Sequence, residues 1–256
     1  MVTRGDIALK LGLPVAGVVG FIHSYADGIH TSIPAPGLGA LAAGMGGAKS
    51  KLVRDLAALG VTPDDIAVVS KHDTSTNAND PNESELHNTL AHAIGRTDGN
   101  PLFVISQKTL TGHAKGGACI FQINGLTQLF RSGVIPGNAS LDCVDPKLAR
   151  DDHMVWLRES MRIGDGAGSC AVKAALATSL GFGHVSGFVA LVHPGAFEAA
   201  VAASAGVNVL KNWRTKANAR LAAGQRRFEE GMMGRSVLFE PVETVSYTHL
   251  RAHETD

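Results

Sequence analysis

Charge of one sign, paired cysteines and long apolar runs are all missing from this sequence. Its 23 Lys and Arg offset 23 Asp and Glu, so no electrostatic surplus exists to hold a polyanion and no nucleic-acid partner is expected. No apolar run reaches the roughly 18 residues that span a bilayer. The start, Met1-Val2-Thr3-Arg4-Gly5-Asp6, has no apolar core of a secretory signal, so the expected location is cytoplasmic, without a membrane. The three cysteines, Cys119, Cys143 and Cys170, lack C-x-x-C spacing, which fits reduced thiols better than disulfides or a zinc site. What is present is 45% hydrophobic, rich in Gly and Ala, over 256 residues. That is ample material for a tightly packed α/β core.

Leu13 to Ile22 is a short valine-rich run and reads as a buried strand. After the Pro34-Ala35-Pro36-Gly37 breaker, Ala48 to Leu59 reads as a helix closed by Gly60. Asp65 to Ser70 is the next strand. Glu83 to Ile94 is helical, with Leu86, Leu90, Ala93 and Ile94 as its apolar stripe and Gly95 as its stop. Leu102 to Ser106 is a third strand, and Ala114 to Phe130 a buried helix of small residues. Strands alternating with helices make an α/β layout, in which ligands gather at the C-terminal ends of strands. Past the Pro136-Gly137-Asn138 turn the chain becomes strand and loop. Phe188 to Pro194 reads as a strand, and from Phe197 to Glu230 the composition is helical and basic.

Two histidines sit just past predicted strand ends. The first lies in Lys71-His72-Asp73-Thr74-Ser75-Thr76, followed by Asn79, Asp80 and Glu83; the second ends Gln107-Lys108-Thr109-Leu110-Thr111-Gly112-His113, before Ala114-Lys115-Gly116-Gly117. A lone histidine in such a place is ordinarily a hydrogen-bonded core residue. Two in matching motifs are not. Here the chain resembles the C-terminal half of a β-ketoacyl synthase, most closely the synthase domain of actinobacterial type I fatty-acid synthase multienzymes. The likeness runs from about Gly5 to about Val242.

The resemblance implies a thiolase-like, layered αβαβα fold and a decarboxylative Claisen condensation of malonyl-[acyl-carrier-protein] with an acyl-enzyme thioester. It implies His72 and His113 as neutral donors to one thioester oxygen, and a Lys108 to Glu83 ion pair; Glu83 would otherwise serve only as a helix cap. Thr74 and Thr76 match the hydroxyls that contact the phosphopantetheine arm, though both also suit a turn. Phe182, in Gly181-Phe182-Gly183, matches the gating phenylalanine whose backbone N–H helps form an oxyanion hole. Physics adds one point: a histidine before a helix start feels the positive end of the helix dipole, which favours the neutral form. Asp73 stands where most members of the family have glycine. Its carboxylate could raise the pKa of His72, so its side chain is expected to face away.

The resemblance further implies an acyl carrier protein and other fatty-acid synthase domains as partners, and a homodimer within a larger assembly. It implies no metal and no resident cofactor, the phosphopantetheine arm arriving with the carrier. The domains read as synthase portion 1–196, helical basic extension 197–243 and tail 244–256. The tail resembles a translated sequencing adapter and is set aside. In this family the nucleophilic cysteine lies more than a hundred residues before the first histidine, whereas only 71 residues precede His72. None of the three cysteines has its context, so the expectation is a fragment, inactive alone. The alternatives are a polyketide-synthase ketosynthase and a non-catalytic, dimer-forming scaffold remnant. Thiolases, which use a Cys-His-Cys set, fit the second histidine motif poorly.

Overall fold

The computed structural model describes residues 1–27, 37–148, 153–164, 172–181 and 183–237. In chain order the elements are α1 (Gly5–Leu11), β1 (Val18–Ala26), α2 (Leu38–Gly44), α3 (Lys51–Ala57), β2 (Ile66–Ser70), α4 (Asn79–Ala93), β3 (Leu102–Ile105), α5 (Lys108–Thr111), α6 (Ala118–Ser132), β4 (Val134–Ile135), β5 (Met154–Trp156), β6 (Met161–Arg162), β7 (Ala174–Gly181), β8 (Val185–Val192), α7 (Gly195–Ala205) and α8 (Val207–Met232). The chain divides into two compact units, residues 15–200 and residues 1–14 with the described residues from 201 onward. The helical extension expected at 197–243 therefore draws in the first fourteen residues, and the tail 244–256 lies outside the described residues.

The larger unit is built on a six-stranded mixed sheet, ordered β1-β8-β7-β2-β3-β5, beside the small pair β4-β6. β7, β2, β3 and β5 run parallel; β8 lies antiparallel to both β7 and β1, so β1 runs in the same direction as the parallel strands. One face carries Phe21, Ile66, Val104, Leu176 and Ala190, packed against Ala40 and Ala43 of α2, Leu52 and Leu56 of α3 and Leu86 and Leu90 of α4. The other face carries Val68, Ile105, Ala175, Val189 and Leu191, covered by Leu126, Leu129 and Phe130 of α6. Val68 and Val69 thus point to opposite faces, and both are buried. That is why the central strands read as continuous apolar runs without alternation.

Apolar surface remains on the α6 side: Ile22 on β1 is 66% exposed, and Ile120 on α6 is 60% exposed. No described helix is long and apolar enough to cross a membrane. In the smaller unit, Leu210, Trp213 and Ala217 form the buried stripe of α8, and the Trp213 indole N–H donates to the Leu13 carbonyl at 3.1 Å.

Several boundaries differ from the sequence reading. The first strand starts at Val18, because its pairing with β8 runs from Val18–Val192 to Ala26–Val185. The predicted 48–59 helix contracts to α3, preceded by a 3-10 turn at Gly47–Lys49, and α2 has no counterpart in the sequence reading. α4 starts four residues early, at Asn79, because the Thr76 carbonyl accepts the N–H groups of Asn79 and Asp80. Ala91, not Ala93, belongs to its buried stripe. The helix expected from Ala114 starts at Ala118, after a 3-10 turn at Lys115–Gly117. Lys115 takes a left-handed φ of 49°, which no α-helix admits, and two glycines follow it.

Candidate active site

β2 ends at Ser70 and delivers His72; β3 ends at Ile105, and the single turn of α5 then leads to His113. Gly112, with φ 71°, supplies the left-handed step that swings His113 back. The two rings meet edge to face, with centroids 5.6 Å apart and planes at 85°.

Both imidazoles are held neutral. Burial first, then the Lys108 charge, pushes His72 down to about 4, against the opposing pull of Glu83. His113 is lowered by desolvation and by Lys108 and Lys115. Their tautomers follow from their partners. The Lys115 backbone N–H donates to His113 Nδ1 at 3.0 Å. Lys108 Nζ lies 3.4 Å from His72 Nδ1, and an ammonium has only donors to offer. In each ring Nδ1 is therefore the acceptor, and Nε2 carries the proton. The dipole of a following helix is the cause expected for His113; desolvation and two lysines do that work instead, and a single backbone N–H sets the tautomer.

Lys108 does not pair with Glu83, which corrects the sequence expectation. Its Nζ donates to the His72 carbonyl oxygen. Glu83 is fully buried and grips the His72 loop by its backbone. Its Oε1 accepts the His72 N–H and the Thr178 hydroxyl, and its Oε2 accepts the Asp73 N–H at 2.8 Å and Asn79 Nδ2 at 3.1 Å. Burial alone would raise its pKa. Hydrogen bonding with His87 and Thr178, together with the Lys71 charge, outweighs burial and holds the carboxyl well below its usual range. The carboxylate was assigned a lysine; the fold gives it two amides instead, because α4 starts beside the loop it must fix.

Asp73 has φ 46°, the left-handed region that glycine tolerates best and Asp next best. Its carboxylate lies 3.8 Å from the buried Lys71 ammonium, and its charge helps burial push the Asp80 carboxyl up. It acts on His72 only weakly. The Thr74 and Thr76 hydroxyls are 3.5 Å apart, and Thr76 Oγ1 also accepts the Asn79 N–H at 3.2 Å, so Thr76 is at least a turn residue. Phe182 lies outside the described residues, between β7 and β8. Cys119 lines an apolar hollow with Ile22, Phe188 and Val189, and burial raises its thiol pKa against the pull of Lys108. A thiol so shifted is a poor nucleophile.

Sequence reasoning missed Gln122. This fully buried side chain of α6 donates to the carbonyls of Ser70, Lys71 and Thr178 and so locks the end of β2 beside β7. A lone polar residue inside Ala118-Cys119-Ile120-Phe121-Gln122-Ile123 was the available signal. Lys71, which donates to Ser84 Oγ at 3.2 Å while only 1% exposed, was also missed.

A mixed sheet with helices on both faces and two neutral imidazoles beyond its parallel strands defines a thiolase-like enzyme fold. Residues 16–142 match the beta-ketoacyl synthase, C-terminal domain, so that stretch of the chain is a ketoacyl synthase C-terminal domain. It is similar to the fatty acid synthase alpha subunit stcJ of Emericella nidulans, at 36% identity over 240 residues covering 93% of this chain and 15% of that one. The fatty acid synthase alpha subunit hexA of Dothistroma septosporum is 34% identical over 263 residues, covering 92% and 15%. The ketosynthase FabY from P. aeruginosa shares the fold, with a TM-score of 0.75 at 24% identity over 90% of this chain and 34% of that one. The chain thus spans about 15% of the length of these alpha subunits. These relatives are fungal and give no support to the actinobacterial placement.

Proposed function

We propose that this chain supplies the paired-histidine half of a β-ketoacyl-[acyl-carrier-protein] synthase of the fatty-acid synthase type, whose nucleophilic thiol comes from sequence outside these 256 residues. One observation carries the reading. Two imidazoles with ring centroids 5.6 Å apart, both neutral and both with Nδ1 already occupied, leave two Nε2–H groups free to donate to one thioester oxygen.

In the proposed reaction the malonyl carbon–carboxylate bond breaks and CO2 leaves. The electron pair passes into an enolate whose oxygen takes both N–H hydrogen bonds. The enolate carbon then attacks the acyl thioester carbonyl held on the thiol, a carbon–carbon bond forms, and the thiolate is expelled. Neutral rings suit this step, because the more acidic second proton of an imidazolium would quench the enolate before attack. Lys108 keeps His72 in the donor tautomer, and Glu83 fixes the loop that aims it. Thr74 and Thr76 would hydrogen-bond the phosphopantetheine arm of the acyl carrier protein, the proposed carrier and partner. Exposed Ile22 and Ile120 beside Cys119 support apolar contact with the thiol-bearing half of the synthase. Other fatty-acid synthase domains, a homodimeric assembly and a cytoplasmic location belong to the same proposal.

The test joins this chain to the cysteine-bearing half of a synthase and follows CO2 release from malonyl thioester. His72→Ala or His113→Ala should abolish release while the thiol still accepts an acyl group. Condensation by the 256-residue chain alone would overturn the proposal, since one of its own cysteines would then be the nucleophile.

A further inference from the structure

At the end of the sheet away from His72 and His113, three side chains from separate segments of the larger unit meet. α4 begins beside the His72 loop and carries His92 in its last turn, about 14 Å along the axis from Glu83 at 1.5 Å per residue. The loop to β3 carries Asp98, and His153 leads into β5. One donor atom of each residue lies within 4.8 Å of the other two. The His92 and His153 rings meet with centroids 4.7 Å apart at 65°.

The buried member is the informative one. His153 is fully buried, and its Nδ1 lies 3.3 Å from the Asn100 carbonyl oxygen, which can only accept. The proton is therefore on Nδ1, and Nε2 presents a lone pair. That Nε2 is buried and has no hydrogen-bond partner. Buried acceptors are rarely left so. A ring nitrogen whose other N–H donates to a backbone carbonyl is the arrangement that metal-binding histidines use. The loop is also firmly held: Arg96 donates to the carbonyls of Pro63, Ile66, Asn100 and Pro101, and Asp64 accepts the Thr97 N–H and hydroxyl.

We propose that His92, Asp98 and His153 form a binding site for a divalent transition metal of the zinc class. Two neutral imidazoles and a carboxylate are a donor set zinc accepts, with water completing four-coordination. Bond lengths near 2.0–2.1 Å would bring the donor atoms to about 3.3 Å apart. His92 and Asp98 are exposed and free to make that movement, while His153 stays fixed. The ion would clamp the end of α4, the following loop and the start of β5, a structural role independent of the condensation chemistry.

The metal-free 256-residue chain is titrated with Zn²⁺ by equilibrium dialysis, and with Co²⁺ as spectroscopic probe. The wild type should take up Zn²⁺, and the Co²⁺ spectrum should lack thiolate charge-transfer absorption. His92→Ala and Asp98→Asn change exposed side chains and leave the fold intact; each should weaken binding about tenfold or more, as should His153→Ala. A His249→Ala/His253→Ala variant should bind like the wild type. No Zn²⁺ uptake at micromolar free metal, or unchanged affinity in both His92→Ala and Asp98→Asn, overturns the proposal.

Discussion

Replacing Glu83 with Gln tests how the His72 loop is held. Each Glu83 oxygen accepts two donors, His72 N–H with the Thr178 hydroxyl on one and Asp73 N–H with Asn79 Nδ2 on the other. A glutamine offers one oxygen and one NH2, so whichever way the amide turns, a backbone N–H, that of His72 or of Asp73, faces a donor, and the Thr178 hydroxyl or the Asn79 amide must turn to accept. Hydrogen bonds to a charged acceptor contribute roughly 1.5–3 kcal/mol each. Relief of carboxylate desolvation offsets part of that, and a loss of about 3–5 kcal/mol remains, the range for breaking a buried ionic network. The assay is urea unfolding at neutral pH of the wild type, Glu83→Gln, Lys108→Met and the double variant. Since Lys108 bonds the His72 carbonyl and not Glu83, their coupling should sit near 1 kcal/mol, low in the roughly 0.5–3 kcal/mol range of networked residues. A Glu83→Gln loss under about 1 kcal/mol, or coupling of about 3 kcal/mol or more, would refute the reasoning.

His72 should titrate near pH 4 by NMR, and Lys108→Met should move it upward by removing a positive neighbour. Because its folded pKa is depressed, its contribution to stability is complete above pH 6.5 and is lost as pH falls toward 4. An unfolding midpoint that stays flat across that window contradicts this. Asp80 is pushed up to about 6 from 3.8 by burial and then by Asp73, against Lys71. A raised carboxyl stabilises below pH 3.8 and loses that contribution as pH rises through 6. Asp80→Asn should therefore be more stable than the wild type by about 1–2 kcal/mol at pH 7.5 after allowing for screening, and equal to it at pH 4. Gln122→Leu leaves three carbonyls without their shared donor. About 2–3 kcal/mol of stability should be lost, with the helical circular dichroism signal unchanged.

Sequence by itself determined the elements with their own period or punctuation. β2 and β3 were legible as short apolar runs, and α4 by its Leu86, Leu90 and Ile94 spacing ahead of Gly95. Since ligand groups in α/β sheets collect where parallel strands end, the sequence alone marks His72 and His113 as candidates, and the fold brings their rings together. Tertiary structure alone decided who touches whom. Glu83 meets Thr178 across 95 positions of chain, and Gln122 meets Ser70 across 52, separations that no local pattern records. β7 escaped notice because Ala174-Ala175-Leu176-Ala177 is rich in alanine and lacks the β-branched residues that mark β2. The His92, Asp98 and His153 cluster follows the same logic. Hydrophobic period depends on neighbours a few residues away and survives in one dimension. Hydrogen-bond partnership and charge balance depend on where the chain returns, and only the packed sheet fixes that.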